Sequence, residues 1–173
     1  VPAGLAVSAN GERVYVANVW GHSVSVLEGG KVIADIPLGT NTTGRAKKEL
    51  TPAIDEDDAA ITKRAEALLE ETTAGDPFPY GCALDEARGR LYVSLWAQAA
   101  VAVIDTATLE PVARWPAEEH PNELLLSKNG RHLFIANANR NTVTVLDTGT
   151  GQPVETLIAQ LKINKEFGFL KSD

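Results

Sequence analysis

Three stretches of this chain repeat one another in register: Pro2–Glu28, Pro79–Asp105 and Pro121–Asp147 align on their first proline without a gap. Their central parts read VYVANVWGHSVSVLE, LYVSLWAQAAVAVID and LFIANANRNTVTVLD. At one distance from the proline stands a β-branched or leucine residue (Val14, Leu91, Leu133), followed at once by an aromatic (Tyr15, Tyr92, Phe134). The valine pairs Val24/Val26, Val101/Val103 and Val143/Val145 also share columns. Self-similarity at a fixed period marks a repeat architecture, in which one unit cannot bury its apolar faces alone. No other feature constrains the fold as much.

Each unit divides into four short runs of β-formers. The first is 5–7, 82–84 or 124–126, and a turn follows: NGER at 10–13, EARGR at 86–90 or KNGR at 128–131. Asn-Gly between such runs signals a hairpin. The second and third runs are the YVAN-like and VSVL-like strands. The fourth is KVIADIPL at 31–38, PVARWP at 111–116 or PVETLI at 153–158. Four antiparallel strands in roughly 40 residues is the period of a β-propeller blade. The spacing therefore predicts an all-β chain of three four-stranded antiparallel blades, an incomplete ring, with blade 1 over 2–39, blade 2 over 78–117 and blade 3 over 121–158. Within strands the apolar residues are consecutive rather than alternating, the pattern of strands covered on both faces.

Residues 40–77 interrupt the repeat. Ile61, Ala65, Leu68 and Leu69 fall on one helical face, and Asp55, Asp57 or Asp58 suits a helix N-terminus, so a helical insertion is expected over roughly 57–71. The end of the chain, 159–173, carries KINKEFGFLKSD and fits no blade register.

Composition narrows the class. The net charge is −7, which argues against nonspecific binding to nucleic acid or an anionic membrane. No apolar run approaches the ~20 residues of a membrane span. The single cysteine, Cys82, excludes an intrachain disulfide and a cysteine-rich metal site. It lies in the strand GCALD and reads as a buried structural thiol. No signal peptide is visible, which has little weight because the chain opens directly on a repeat. There is no GxSxG elbow, Walker loop, HExxH helix or GxGxxG turn, so neither cofactor, metal nor catalytic residue is expected. Asp105 and Asp147 end their third strands and are expected to bond the backbone of the next turn.

The phrases VYVANVWGHSVSVLE and LFIANANRNTVTVLDTGTGQPVETL resemble the YVTN-repeat β-propeller family. Blade 2 departs from that pattern, with Ser94-Leu95 where the family has Ala-Asn. The insert, DPFPYGCALDEARGRLYVSLWAQAAVAVID and HPNELLLSKNGRHLFIANANRNTVTVLDT together look like the propeller portion of bacterial two-part proteins. Those proteins join such a propeller to an alkaline-phosphatase-like phosphoesterase domain. The resemblance implies a bacterial, extracytoplasmic chain, and nothing in this sequence resembles the catalytic domain.

In a four-stranded meander, the turns between second and third strands lie at the same end as the inter-blade connections. That end is the expected ligand or partner rim, because loops on a rigid scaffold carry function. Its candidate residues are Trp20, His22, Gln98, His120, Asn139 and Arg140. Trp20 is either an exposed binding aromatic or packed under the insert. Trp96 is expected within the second strand as blade-to-blade packing, and Trp115 as cover for a blade edge. His120 reads as a structural or solvated histidine beside the axis, or else as an anion or metal ligand. The expected function is a noncatalytic scaffold or binding module for a protein, a surface polymer or a small ligand. The alternative is an accessory propeller part of an extracytoplasmic phosphoesterase. Three blades cannot close a ring, so either the chain is a fragment of a longer propeller or copies self-associate to cover the exposed blades, two copies supplying six.

Overall fold

The computed structural model describes residues 1–39 and 75–159. The helix expected over 57–71 and the atypical end beyond 159 lie outside the described residues. Among the described residues twelve strands form three sheets. Blade 1 holds β1 (Pro2–Val7), β2 (Arg13–Asn18), β3 (Ser23–Glu28) and β4 (Lys31–Pro37). Blade 2 holds β5 (Pro79–Asp85), β6 (Arg90–Leu95), β7 (Ala100–Asp105) and β8 (Glu110–Pro116). Blade 3 holds β9 (Pro121–Leu126), β10 (His132–Asn137), β11 (Thr142–Asp147) and β12 (Pro153–Ile158). Each is an antiparallel meander in chain order.

The three sheets share one register. Tyr15 pairs with Val26, Tyr92 with Val103 and Phe134 with Val145. Turn chemistry fixes that register, since a slip of one residue would turn every side chain to the other face. In blades 1 and 3 the Asn-Gly turns place Gly11 (φ 73°) and Gly130 (φ 68°) in the left-handed region. The hydroxyls of Ser8 and Ser127 accept the amides of Arg13 and His132, each at 2.9 Å. At the other hairpin, Asp105 accepts from the amides of Ala107 and Thr108, and Asp147 from those of Gly149 and Thr150. These are the turn bonds expected of both aspartates.

The blades stack through their faces. Tyr15, Ala17, Val24, Val26 and Ile36 of blade 1 pack on Leu91, Val93, Leu95, Ala102 and Ile104 of blade 2. The opposite face of blade 2 (Tyr92, Val101, Val103) packs on Leu133, Ile135 and Leu146 of blade 3. Fully burying one such aliphatic side chain stabilises by about 1.5–3 kcal/mol. Only in β6 and β7 is nearly every position buried, whereas burial alternates along β2 and β10. The consecutive apolar pattern thus matches its expected two-sided cover in blade 2, while blades 1 and 3 have one covered face among the described residues.

The departure of blade 2 from the repeat has a packing reason. In blade 1 the Asn18 amide donates to Ser25 Oγ at 2.8 Å; in blade 3 Asn137 donates to Thr144 Oγ1 at 2.9 Å and Thr142 Oγ1 at 3.1 Å. The cross-strand positions in blade 2 are Ala100 and Ala102, which carry no hydroxyl. An asparagine there would be buried without those partners, and Leu95 fills the place, fully buried. Ser94 faces blade 3 instead. It donates to Asn122 O at 2.6 Å and accepts from Gly81 N at 2.7 Å.

The first strands of adjacent blades run close together, β1 by β5 and β5 by β9. Glycine permits this approach: a Cβ on Gly4 would sit 2.1 Å from the Tyr80 carbonyl oxygen, and one on Gly81 2.3 Å from that of Asn122. Trp115, on the outer strand, lies 5.3 Å from Tyr92 and covers Gly151 of blade 3, where a Cβ would come within 2.2 Å of its Nε1. Cys82 sits half-buried against the first core cluster, and burial pushes its thiol up to about 12. It is protonated at neutral pH and structural, as its strand context predicts.

Candidate functional site

The end bearing the β2–β3, β6–β7 and β10–β11 turns is built on a repeated backbone device. Each turn finishes on a left-handed residue, His22 (φ 51°), Ala99 (φ 47°) or Asn141 (φ 51°). The carbonyls of these residues accept the amides of Leu38, Ala117 and Ala159 at 2.8–2.9 Å, tying each turn to the end of its blade. A second device lies at blade entry. Phe78 (φ 45°) and His120 (φ 56°) precede the repeat's prolines and are also left-handed. Bulky residues rarely adopt that region, and a following proline restricts them further. Their carbonyls are held by Trp96 N at 3.1 Å and Ala138 N at 3.0 Å.

These backbone devices assemble a row of rings across all three blades. The Phe78 ring meets Trp20 edge to face at 5.4 Å, His22 at 4.9 Å and Trp96 at 6.5 Å. Trp96 in turn lies 4.0 Å from the His120 ring, and Asn139 Nδ2 is 2.9 Å from His120 Nδ1. Trp96 is exposed; Trp20, Phe78 and His120 are half-buried. His22 is buried, with its Nε2 3.3 Å from Asp76 Oδ2.

Of the six residues singled out in the sequence, four therefore meet along this row: Trp20 and His22 through Phe78, and His120 with Asn139. Gln98 is engaged elsewhere, donating to the Gly75 carbonyl and accepting from Arg114. Arg140 pairs with Glu119 at 2.9 Å on the exposed edge. The expectation for Trp96 is corrected. Strand β6 ends at Leu95, and Trp96 opens a 3₁₀ turn, Trp96–Gln98, so its ring packs against His120 of blade 3 from the rim rather than from within the second strand. Phe78 was not singled out at all. The available signal was its column, since it occupies the same pre-proline position as His120.

Chemically, the row offers stacking surface and the edges of a histidine–asparagine pair. Among the described residues no three His, Cys, Asp or Glu side chains converge as metal ligands. Among the described residues, recesses lie at the opposite end. One, of about 290 Å³, is lined by polar side chains including Ser8, Asn10, Glu12, Arg13 and Glu86. It sits over the inter-blade bonds Ala9 N to Glu86 Oε1 (2.9 Å) and Arg13 Nη1 to the Thr106 carbonyl (3.2 Å). Its polar groups serve to join blades 1 and 2.

No family model and no curated protein matches the chain. Solved structures do. Hydrazine synthase from Kuenenia stuttgartiensis superposes with a TM-score of 0.65 at 18% identity, over 90% of this chain and 35% of that one. Virginiamycin B lyase from Staphylococcus aureus gives 0.58 at 14% identity, over 90% and 40%. A chain of the nidogen/laminin complex gives 0.56 at 12% identity, over 90% and 46%. At these identities the likeness concerns fold alone, and the class it defines with the three meanders is the β-propeller. The chain spans less than half the length of each of these structures.

Proposed function

We propose that this chain is a noncatalytic β-propeller scaffold or binding module of the YVTN-repeat type, extracytoplasmic and bacterial, that takes a protein or surface-polymer ligand on the rim of inter-blade connections. The observation carrying this reading is the row Trp20–Phe78–Trp96–His120, which leaves Trp96 exposed among its neighbours. Two of its members stand on left-handed pre-proline backbone. Strained backbone of this kind persists where surrounding structure holds it, and it clusters at binding sites. Aromatic faces flanked by amide and imidazole groups suit the apolar faces of sugar rings or a peptide's side chains.

Two of the three tryptophans stand on this row, so intrinsic fluorescence reports on it directly. Solubilised bacterial cell-wall polysaccharide and a mixed-sequence peptide pool are the two probes. Trp96→Ala is expected to weaken binding of the effective probe about tenfold, as loss of one stacking anchor does. Lys128→Ala, at the opposite end, is expected to leave it unchanged. Equal binding by Trp96→Ala, or no response to either probe from the folded chain, would sink the reading. Mass spectrometry of the probe afterwards exposes any turnover.

The second reading, an accessory propeller of an extracytoplasmic phosphoesterase, rests on the sequence phrases quoted above. A parent reading frame continuing into an alkaline-phosphatase-like domain would favour it.

A further inference from the structure

The repeat makes the two junctions between blades directly comparable, and they are built differently. Ala117 closes blade 2 and His120 opens blade 3, with only Glu118 and Glu119 between them. The equivalent residues at the other junction, Leu38 and Phe78, stand on either side of residues 39–77. A longer connection costs more chain entropy to hold with its ends together. Phe78, like His120, takes left-handed backbone before a proline (φ 45°), yet it has no short tether to the blade before it.

One feature is common to both junctions. Gln98 and Arg140 occupy the same column of the repeat, and each bonds the connection entering its own blade. Gln98 Nε2 donates to the Gly75 carbonyl, and Arg140 Nη2 to Glu119 Oε1 at 2.9 Å. A second feature is confined to the long connection. Arg114 pairs across the strand with Ala102, where blade 1 has Asp35 opposite Ser25 and blade 3 has Thr156 opposite Thr144. Its Nη2 donates to the Leu38 carbonyl at 2.6 Å, and its Nη1 to Oε1 of Gln98. Leu38 N in turn donates to the His22 carbonyl at 2.9 Å, and His22 Nε2 lies 3.3 Å from Oδ2 of Asp76, the neighbour of Gly75. The contacts therefore run from Arg114 through Leu38, His22, Asp76, Gly75 and Gln98 back to Arg114.

This circuit touches the aromatic row at two places. The His22 ring lies 4.9 Å from that of Phe78, whose carbonyl accepts from Trp96 N at 3.1 Å. Gln98 belongs to the turn that Trp96 opens. We infer that Arg114 is a positioning residue for the row: by fastening both ends of the long connection to blade 2, it holds Phe78 against Trp20, His22 and Trp96. The inference deepens the binding reading, since it concerns the same row. A guanidinium suits the task because its planar fork fixes two acceptors on separate nitrogens, which a single ammonium does not do.

Fluorine NMR of the chain labelled with 5-fluorotryptophan tests this without any ligand. The three resonances, from Trp20, Trp96 and Trp115, are assigned by single Trp→Phe replacements. Arg114→Met keeps the aliphatic stem at an exposed position and removes both donors. It is expected to shift or broaden the Trp20 and Trp96 resonances, and Arg114→Lys to restore them in part. Thr156→Met, in the same column of blade 3, is expected to leave both in place. Trp20 and Trp96 resonances unmoved in Arg114→Met overturn the inference, whether or not the melting temperature falls, because a merely structural arginine would act on stability alone. Equal shifts from Thr156→Met overturn it too. Where cell-wall polysaccharide or the peptide pool binds the natural chain, Arg114→Met is expected to weaken it about tenfold, and unchanged affinity overturns the positioning role. Failure of both probes on the natural chain sinks the binding reading, and the resonances still decide what Arg114 does.

Discussion

Blade 2 and blade 1 share a repeat, a register and a meander, yet the same columns are buried in one and half-open in the other. Leu91 and Val14 are equivalent, as are Leu95 and Asn18, but in each pair only the blade 2 residue is fully buried. Shared sequence sets the shape of a blade. What each residue contributes to stability depends on whether a neighbour covers it. Blade 2 differs in composition where cover is complete: its backward face carries Leu95, Ala100 and Ala102, while blade 1 carries Asn18, Ser23 and Ser25.

The comparison breaks most visibly at Leu95. Leu95→Asn puts an amide against Ala100 and Ala102 and removes apolar contact, an expected loss of about 4 kcal/mol in denaturant melts. Asn18→Leu in blade 1 is expected to cost less than about 1 kcal/mol, because Asn18 and its hydrogen-bond partner Ser25 are only half-buried. Equal losses would mean that cover by a neighbour is not what separates the blades.

A smaller difference is expected for Leu91→Ala and Val14→Ala. The first opens a cavity in the blade 1–blade 2 core at about 3 kcal/mol, the second about 1 kcal/mol on the open face. If Val14→Ala proves as costly as Leu91→Ala, the backward face of blade 1 is covered in solution.

Acid gives the smallest effect, and it separates the turns from the faces. The Thr108 and Ala107 amides, then the Arg90 guanidinium, hold Asp105 down to about 2 from its ordinary 3.8. Asp147 is lowered by the Thr150 and Gly149 amides. A carboxylate depressed on folding contributes its full stability above its unfolded value, and loses it as pH falls through the folded one. Thermal midpoints measured between pH 5 and pH 2 should therefore fall for the natural chain. They should fall less steeply for Asp105→Asn, whose side chain does not titrate. Parallel curves would remove the turn carboxylate from the acid response.

The blades were legible because their signals are local and periodic: a proline, an Asn-Gly or Gly-containing turn, and paired valines recur in register. The turn bonds of Asp105 and Asp147 were legible for the same reason, since donor and acceptor lie within three residues. The rim was harder to read. Trp96 continues the apolar run LYVSLW, and nothing in that run marks Leu95 as the last strand residue; the left-handed Ala99 closing the turn decides it. The Phe78–Trp20 and Trp96–His120 contacts join different blades, and ring contacts across blades have no periodicity along the chain. The burial of His22 depends partly on Asp76, which follows the long interruption of the repeat.

The asparagine–hydroxyl sets have a consequence for anyone exchanging parts between blades. Asn with two hydroxyls, or Leu with two alanines, works as a unit spread over two adjacent strands. A chimera that moves a whole β2–β3 hairpin into the place of β6–β7 carries its partners along. One that moves β2 alone strands an amide, so the hairpin, not the strand, is the smallest interchangeable piece of this protein.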